Sequence, residues 1–206
     1  MKADAKLHAL FPTPVYESAL DRQFTKQEIN FVKQHYKQKR KNEGNTRSIE
    51  SYVLNKTPLK NMKKFLEEQC QRYLEVACSP KGPLKLYITQ SWFNYTHPNQ
   101  FHHKHAHPNS FISGILYISA DENVDLVRFY NPRESLMFSI EPKNIHLCNA
   151  KNWWFKIKTG QLLMFPSSLA HAVDIKKGTN SRISLSFNTF IKGVLGDNSK
   201  LTELKL

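Results

Sequence analysis

Cysteine and acidic charge are both scarce in this sequence. Three cysteines (Cys70, Cys78 and Cys148) stand among 206 residues. That is too few and too scattered for a disulfide framework, so they read as reduced thiols of a cytosol-like compartment. No run approaches the roughly 18 uncharged apolar residues of a membrane span, and there is no internal repeat or low-complexity tract. The opening MKADAKLHALFPTP puts Asp4 and His8 where an export signal would need an apolar run. No export is expected, and the cytoplasm (a host's, if the chain is viral) is the expected location. Only 17 Asp and Glu face 30 Lys and Arg, a formal charge of +13. Disorder is excluded by the 40% hydrophobic and 12% aromatic content, and the length suits one domain with a sizeable core.

The basic excess is not a tail. Residues 1–79 carry 15 basic and 9 acidic side chains, and residues 80–206 carry 15 and 8. Within it, Lys33 to Arg47, KQHYKQKRKNEGNTR, could serve a nucleic acid or another acidic, polyanionic partner. The preferred reading is plainer: a solvated basic helix face.

Two compositional halves follow, 1–80 and 81–206. FPTPVY, with prolines at 12 and 14, reads as an edge strand. TKQEINFVKQHYKQKRK spaces Ile29, Phe31, Val32 and Tyr36 for a helix, with Thr25 and Glu28 as a capping box. A second helix is predicted from Thr57-Pro58, with Leu59, Met62, Phe65, Leu66, Cys70, Tyr73 and Leu74 as its apolar stripe, ending before Ser79-Pro80. After Gly82 come short segments rich in β-branched and aromatic residues: LKLYITQSWFNY, SFISGILYIS, DLVRFYNP, WWFKIKTG, QLLMFP and SRISLSFNTF. They predict an antiparallel sandwich or barrel, buttressed by the helices. Trp153 and Trp154 could line a substrate groove, but two aromatics in one strand are expected in the core.

The segment FHHKHAHPNS packs His102, His103, His105 and His107 into six residues, out of 9 histidines in the chain. Side chains two apart on a strand share a face. His103, His105 and His107 can therefore converge while His102 points away, outside the ligand set. A third ligand must then come from elsewhere, and His171, in GQLLMFPSSLAHAVDI, is the best placed. Further on, SRISLSF alternates Arg182, Ser184 and Ser186 with Ile183, Leu185 and Phe187. An arginine on the polar face of an otherwise well-buried strand is costly without an anion, and its planar fork suits a carboxylate or phosphate. Taken alone, the histidines could equally be a solvated loop; with His171 and Arg182 they describe a non-haem metal site beside an anion pocket.

In that order these segments resemble the Fe(II)/2-oxoglutarate-dependent oxygenases, and within them a small branch found in bacteria and marine phages. LFPTPVY, ITQSWFN, HAHPNSFISGILYIS, FYNPR, GQLLMFPSSLAHAV and RISLSFN carry the resemblance, which spans most of the chain. It implies a mainly β fold with flanking helices: a double-stranded β-helix (jelly-roll, cupin-like) core over 81–206 and an N-terminal helical buttress over 1–80. It also implies a dioxygenase that takes Fe(II), 2-oxoglutarate and O2, hydroxylates a C–H bond and releases succinate and CO2. The same resemblance selects His105, His107 and His171 as metal ligands, because the family's pair directly precedes the P-x-S segment. Arg182 falls where the 2-oxoglutarate anchor is expected, with Ser184 and Tyr117 in support. Asn94 is a candidate wall of that pocket. Tyr95 stands at a spacing seen in relatives, but points opposite to Asn94 in a regular strand.

His107 departs from the carboxylate usual in the wider superfamily, although the branch resembled often has histidine there. Three neutral imidazoles leave the ion's charge uncompensated and would also suit zinc, copper or nickel. Two rival expectations remain: a cupin-like module that binds a metal, an anion or nucleic acid without catalysis, and a tris-histidine dioxygenase that needs no 2-oxoglutarate. A protein side chain, a nucleobase and a small metabolite are all admissible substrates.

Overall fold

The computed structural model of the chain describes residues 5–132 and 140–206. Asp4, and Arg133 at the end of FYNPR, lie outside them.

Helix α1, Lys26–Lys37, starts where its capping box dictates. The Glu28 backbone N–H donates to Thr25 Oγ1 (3.2 Å), and the Thr25 N–H donates to Glu28 Oε2 (2.7 Å). Such a cap is worth about 1 kcal/mol. After 3-10 turns at Val53–Asn55 and Thr57–Leu59, helix α2 runs over Lys60–Tyr73. It continues as a π turn to Cys78 and stops at Ser79, whose φ of 44° is left-handed. Its predicted stripe is buried, with Phe65 partly covered.

The strands, in order, are β1 Tyr16–Ala19, β2 Lys39–Lys41, β3 Thr46–Ser48, β4 Lys85–Thr96, β5 His102–His105, β6 Ile112–Ser119, β7 Leu126–Tyr130, β8 Asn152–Lys156, β9 Gln161–Pro166, β10 His171–Val173 and β11 Arg182–Lys192. A small hairpin, β12 Val194–Leu195 and β13 Leu204–Lys205, follows. Seven strands form one sheet in the order β1-β9-β6-β11-β4-β3-β2, and four form a second, β5-β10-β7-β8. The non-sequential antiparallel order of two facing sheets is the jelly-roll, double-stranded β-helix arrangement.

Side-chain alternation sorts the large sheet's residues into two layers. Leu116 and Ile118, Leu162 and Met164, Phe93 and Tyr95, and Leu185 and Phe187 face the helices and pack with Val32, Met62, Leu66 and Tyr73. Ile115, Tyr117, Leu163 and Phe165 face the second sheet and meet Val127 and Phe129. Strands β1 to β3, from the first 80 residues, join the large sheet, so buttress and barrel share a core. Among the described residues no helix is long and apolar enough to cross a membrane.

Three local expectations are corrected. FPTPVY yields an edge strand only from Tyr16 onward, the residues before it being largely exposed and outside the strand. Lys33 to Arg47 is not one helix face: α1 ends at Lys37, and the rest forms the β2–β3 hairpin. That hairpin puts exposed Lys39, Arg40 and Lys41 on the outermost strand of the large sheet, where charge discourages pairing with another chain. Trp153 and Trp154 are not core residues. Strand β8 is the edge of the small sheet and leaves them 36% and 44% exposed, with Arg128 lying over the Trp154 ring.

Candidate metal centre and anion pocket

His105 and His171 face each other across β5 and β10, with ring centroids 4.4 Å apart. His107 lies just beyond β5, where its backbone N–H donates to Ser167 O (2.9 Å) in the turn after β9. This hydrogen bond lays the His107 ring parallel to His171, at 5.2 Å and 13°. One ligating nitrogen from each of the three lies within 4.8 Å of the others. Two ring nitrogens are already committed: His105 Nδ1 to His103 O (2.8 Å) and His171 Nδ1 to Leu169 O (3.1 Å). Each Nδ1–H donation leaves Nε2 with its lone pair facing the cluster.

Burial holds these imidazoles neutral. Enclosed by Phe165 and Phe129, and then opposed by His105 and His107, His171 is pushed down to about 3. His107 falls to about 4 through burial and then His105, and burial also lowers His105. At neutral pH no proton therefore competes for the three lone pairs.

The same pocket continues along the inner faces of β4, β11 and β6. Ser184 pairs in register with Asn94 on one side and Tyr117 on the other, while Arg182 pairs with Thr96. Arg182 is 4% exposed, and its guanidinium donates to Thr96 Oγ1 (3.1 Å). Among the described residues no carboxylate pairs with it. Burial lowers its pKa, yet a guanidinium stays protonated. Tyr117 OH and Asn94 Oδ1 are buried without a hydrogen-bond partner. Asn94 is held by its other end, Nδ2 donating to Ser186 Oγ (2.9 Å). Burial raises the Tyr117 phenol, so it stands as a neutral donor. A buried cation beside an unused hydroxyl suits an anion with further hydrogen-bonding capacity.

Neighbouring loops fix the two strands that carry these groups. The Lys176 ammonium is fully buried against Asp125 (3.2 Å). Its backbone bonds Gln100 (2.7 Å) and Asn99 (3.0 Å), tying the approach to Arg182 to the approach to His102.

All seven residues singled out from the sequence line this pocket: His105, His107, His171, Arg182, Ser184, Tyr117 and Asn94. Tyr95 does not. Its hydroxyl donates to Val32 O (3.0 Å) beneath α1, so regular alternation decides for Asn94. His102, expected to point away, is a correction, since it also lines the pocket. Between the pairs His171–His105 and Val173–His102, β5 spends three residues against two. That bulge turns His102 to the inner side, stacks it on His105 at 4.4 Å and lets burial push it down to about 2. Trp92, whose ring lies 5.9 Å from His107, was missed as well; it shares the inner face of β4 with Asn94, a parity the sequence does offer.

Comparison with known proteins finds one family model and a set of fold neighbours. Residues 90–188, just under half of the chain, match the family model described as "Putative 2OG-Fe(II) oxygenase". No curated protein matches. Among solved structures the chain resembles a 2OG-Fe(II) oxygenase family oxidoreductase from Burkholderia pseudomallei, at a TM-score of 0.53 and 11% identity, over 84% of this chain and 83% of that one. A Pseudomonas putida prolyl-4-hydroxylase aligns at 0.54 and 11%, over 85% and 92%. HygX from Streptomyces hygroscopicus, solved with nickel and 2-oxoglutarate bound, aligns at 0.58 and 10%, over 86% and 82%. At these identities the structural likeness speaks for the fold. The family match covers the segment from β4 to β11 that holds every pocket residue named above.

Proposed function

We propose, from that likeness and from the pocket, that the chain is an Fe(II)- and 2-oxoglutarate-dependent dioxygenase that hydroxylates a C–H bond of its substrate. His105, His107 and His171 would hold the metal. Arg182 would hold the far carboxylate of 2-oxoglutarate, with Tyr117, Asn94 and Ser184 around it. One observation carries the reading: a buried guanidinium with no carboxylate partner among the described residues shares a pocket with three neutral imidazoles. The unpartnered Tyr117 hydroxyl and Asn94 oxygen fit a polar dicarboxylate better than an apolar ligand.

Iron and 2-oxoglutarate, when bound, supply oxygen activation coupled to decarboxylation to succinate and CO2. The chain's own share is positional. The backbone carbonyls of His103 and Leu169 set the two rings, Arg182 and Tyr117 orient an anion, and Phe165 with Phe129 keeps water from His171. Because three imidazoles bring no charge, a dianionic cosubstrate would offset two of the three positive charges that the ion and Arg182 bring together. Arg182 is also what argues against a tris-histidine dioxygenase that dispenses with 2-oxoglutarate.

Anaerobic titration with Fe(II) and then 2-oxoglutarate should give the visible metal-to-ligand charge-transfer band in the wild type. The band should be absent from His105→Ala and His171→Ala. Arg182→Lys replaces a fork by a point charge and should need about 10- to 100-fold more 2-oxoglutarate. Unchanged 2-oxoglutarate dependence in Arg182→Lys would remove the anchor. Metal binding with no band and no succinate would favour the non-catalytic module.

A further inference from the structure

The inner triad leaves two of the clustered histidines unused. His102, His103 and His105 form a second triad, again with ligating nitrogens within 4.8 Å of one another. The His103 ring stands 5.3 Å from His102 and 4.8 Å from His105. The turn between β2 and β3 closes over this group. The Phe101 N–H donates to Gly44 O (3.1 Å), so close that a Cβ on Gly44 would lie 2.6 Å from Phe101 O. Gly44, at φ 84°, thereby seats its neighbours on the histidines. Glu43 Oε2 lies 3.7 Å from His103 Nδ1, and Asn42 Nδ2 donates to His102 Nε2 (3.2 Å).

Three imidazoles, with a carboxylate beside one of them, offer a donor set for a divalent transition metal. It lies nearer to solvent than the inner one: the Glu43 and His103 side chains are 69% and 30% exposed, against 4% for His171. The two sets share His105. Its Nδ1 is spent on His103 O, so one nitrogen must serve both. Two ions cannot share that lone pair.

We propose that His102, His103 and His105, with the Glu43 carboxylate, form an outer position for a divalent transition metal, filled in alternation with the inner one, and that the ion passes inward by ligand exchange at His105. Transfer needs no redox step. His105 stays on the ion while the His102 and His103 nitrogens and the Glu43 carboxylate are released and His107 and His171 bind, and Asn42 yields its contact with His102 while the outer position is filled. The outer position stands on its own geometry; the inward step rests on the reading of the inner histidines as metal ligands.

Cobalt(II) separates the two, because its visible spectrum reports the ligand set without turnover. The metal-free full-length wild type should bind one equivalent. His107→Ala and His171→Ala should each still bind one, with an altered spectrum, and adding His103→Ala to either should abolish it. Glu43→Gln in the His107→Ala background should weaken binding about tenfold. His103→Ala alone should reach wild-type occupancy and spectrum, but load about tenfold more slowly in stopped flow, since the outer carboxylate and imidazole no longer gather the cation. No cobalt in His107→Ala and His171→Ala, both melting cooperatively, would overturn the outer position and leave the inner reading intact. Two equivalents in the wild type would overturn the alternation, and wild-type loading in His103→Ala would overturn the transfer. Binding that survives His107→Ala and His171→Ala unchanged in spectrum, but is lost in His103→Ala, would instead overturn the inner reading.

Discussion

His171 carries its consequence in its surroundings. Folded, it is pushed down to about 3 by burial and by its two histidine neighbours, whereas an unfolded histidine titrates near 6.5. Below 6.5 the unfolded chain takes the proton first. Stability from this residue is therefore complete above pH 6.5 and is lost as pH falls toward 3. At pH 5 that amounts to about 2 kcal/mol for His171 alone, and His107 and His102 add in the same direction. Urea melts of the metal-free protein should accordingly show a marked loss between pH 7 and pH 5, and His171→Gln should flatten the slope. A wild-type midpoint unchanged over that interval would mean these imidazoles are not held neutral.

At the scale of single elements, two strands decide what the residues can do. Strand β11 contributes Arg182 and Ser184 to the pocket and Leu185 to the opposite layer, where Phe187 packs while also bordering the pocket. Phe187 lies across from Gly114 of β6, and a Cβ built there would fall 2.1 Å from its ring. Gly114→Ala should therefore cost about 1–3 kcal/mol by overpacking. A lowered thermal midpoint would register it, and Phe187→Leu should recover part of the loss by making room. The other strand is β5. Regular alternation would have hidden His102, and the bulge brings it to the inner side with His105. Bulges leave no mark in a residue pattern, because which strand absorbs the extra residue depends on the partner's hydrogen-bond register.

For the whole molecule, the pocket is assembled from β4, the His-rich segment, β6, β10 and β11, so a ligand there bridges both sheets. Whatever binds only the folded chain raises its stability by mass action. Nickel(II) with 2-oxoglutarate, at about a hundredfold excess over the dissociation constant, should add about 2.7 kcal/mol, or roughly 5–10 °C in Tm for a chain of this size. The shift should shrink in Arg182→Lys when both are present but not with nickel alone, if the guanidinium holds the anion and not the ion as proposed. Nickel alone should shift His171→Ala less than the wild type.

The sequence by itself determined the helices and most strands, through capping residues and apolar periodicity that act within a few residues. Thr25 with Glu28 set the start of α1, and the alternation of SRISLSF placed Arg182 and Ser184 on one face. It also pointed to residues that line the pocket, since an arginine in an alternating strand and paired histidines are chemically conspicuous. Only the tertiary structure decided between Asn94 and Tyr95, turned His102 inward, exposed Trp153 and Trp154 and set Glu43 beside His103. Each of those outcomes depends on which strand is an edge, where a ladder slips by one residue, or which turn folds over a neighbour. Such pairings join residues 60 positions apart, as between Asn42 and His102, or 63, as between Val32 and Tyr95. Local preference does not reach that far; burial and backbone hydrogen bonding across the sheets do.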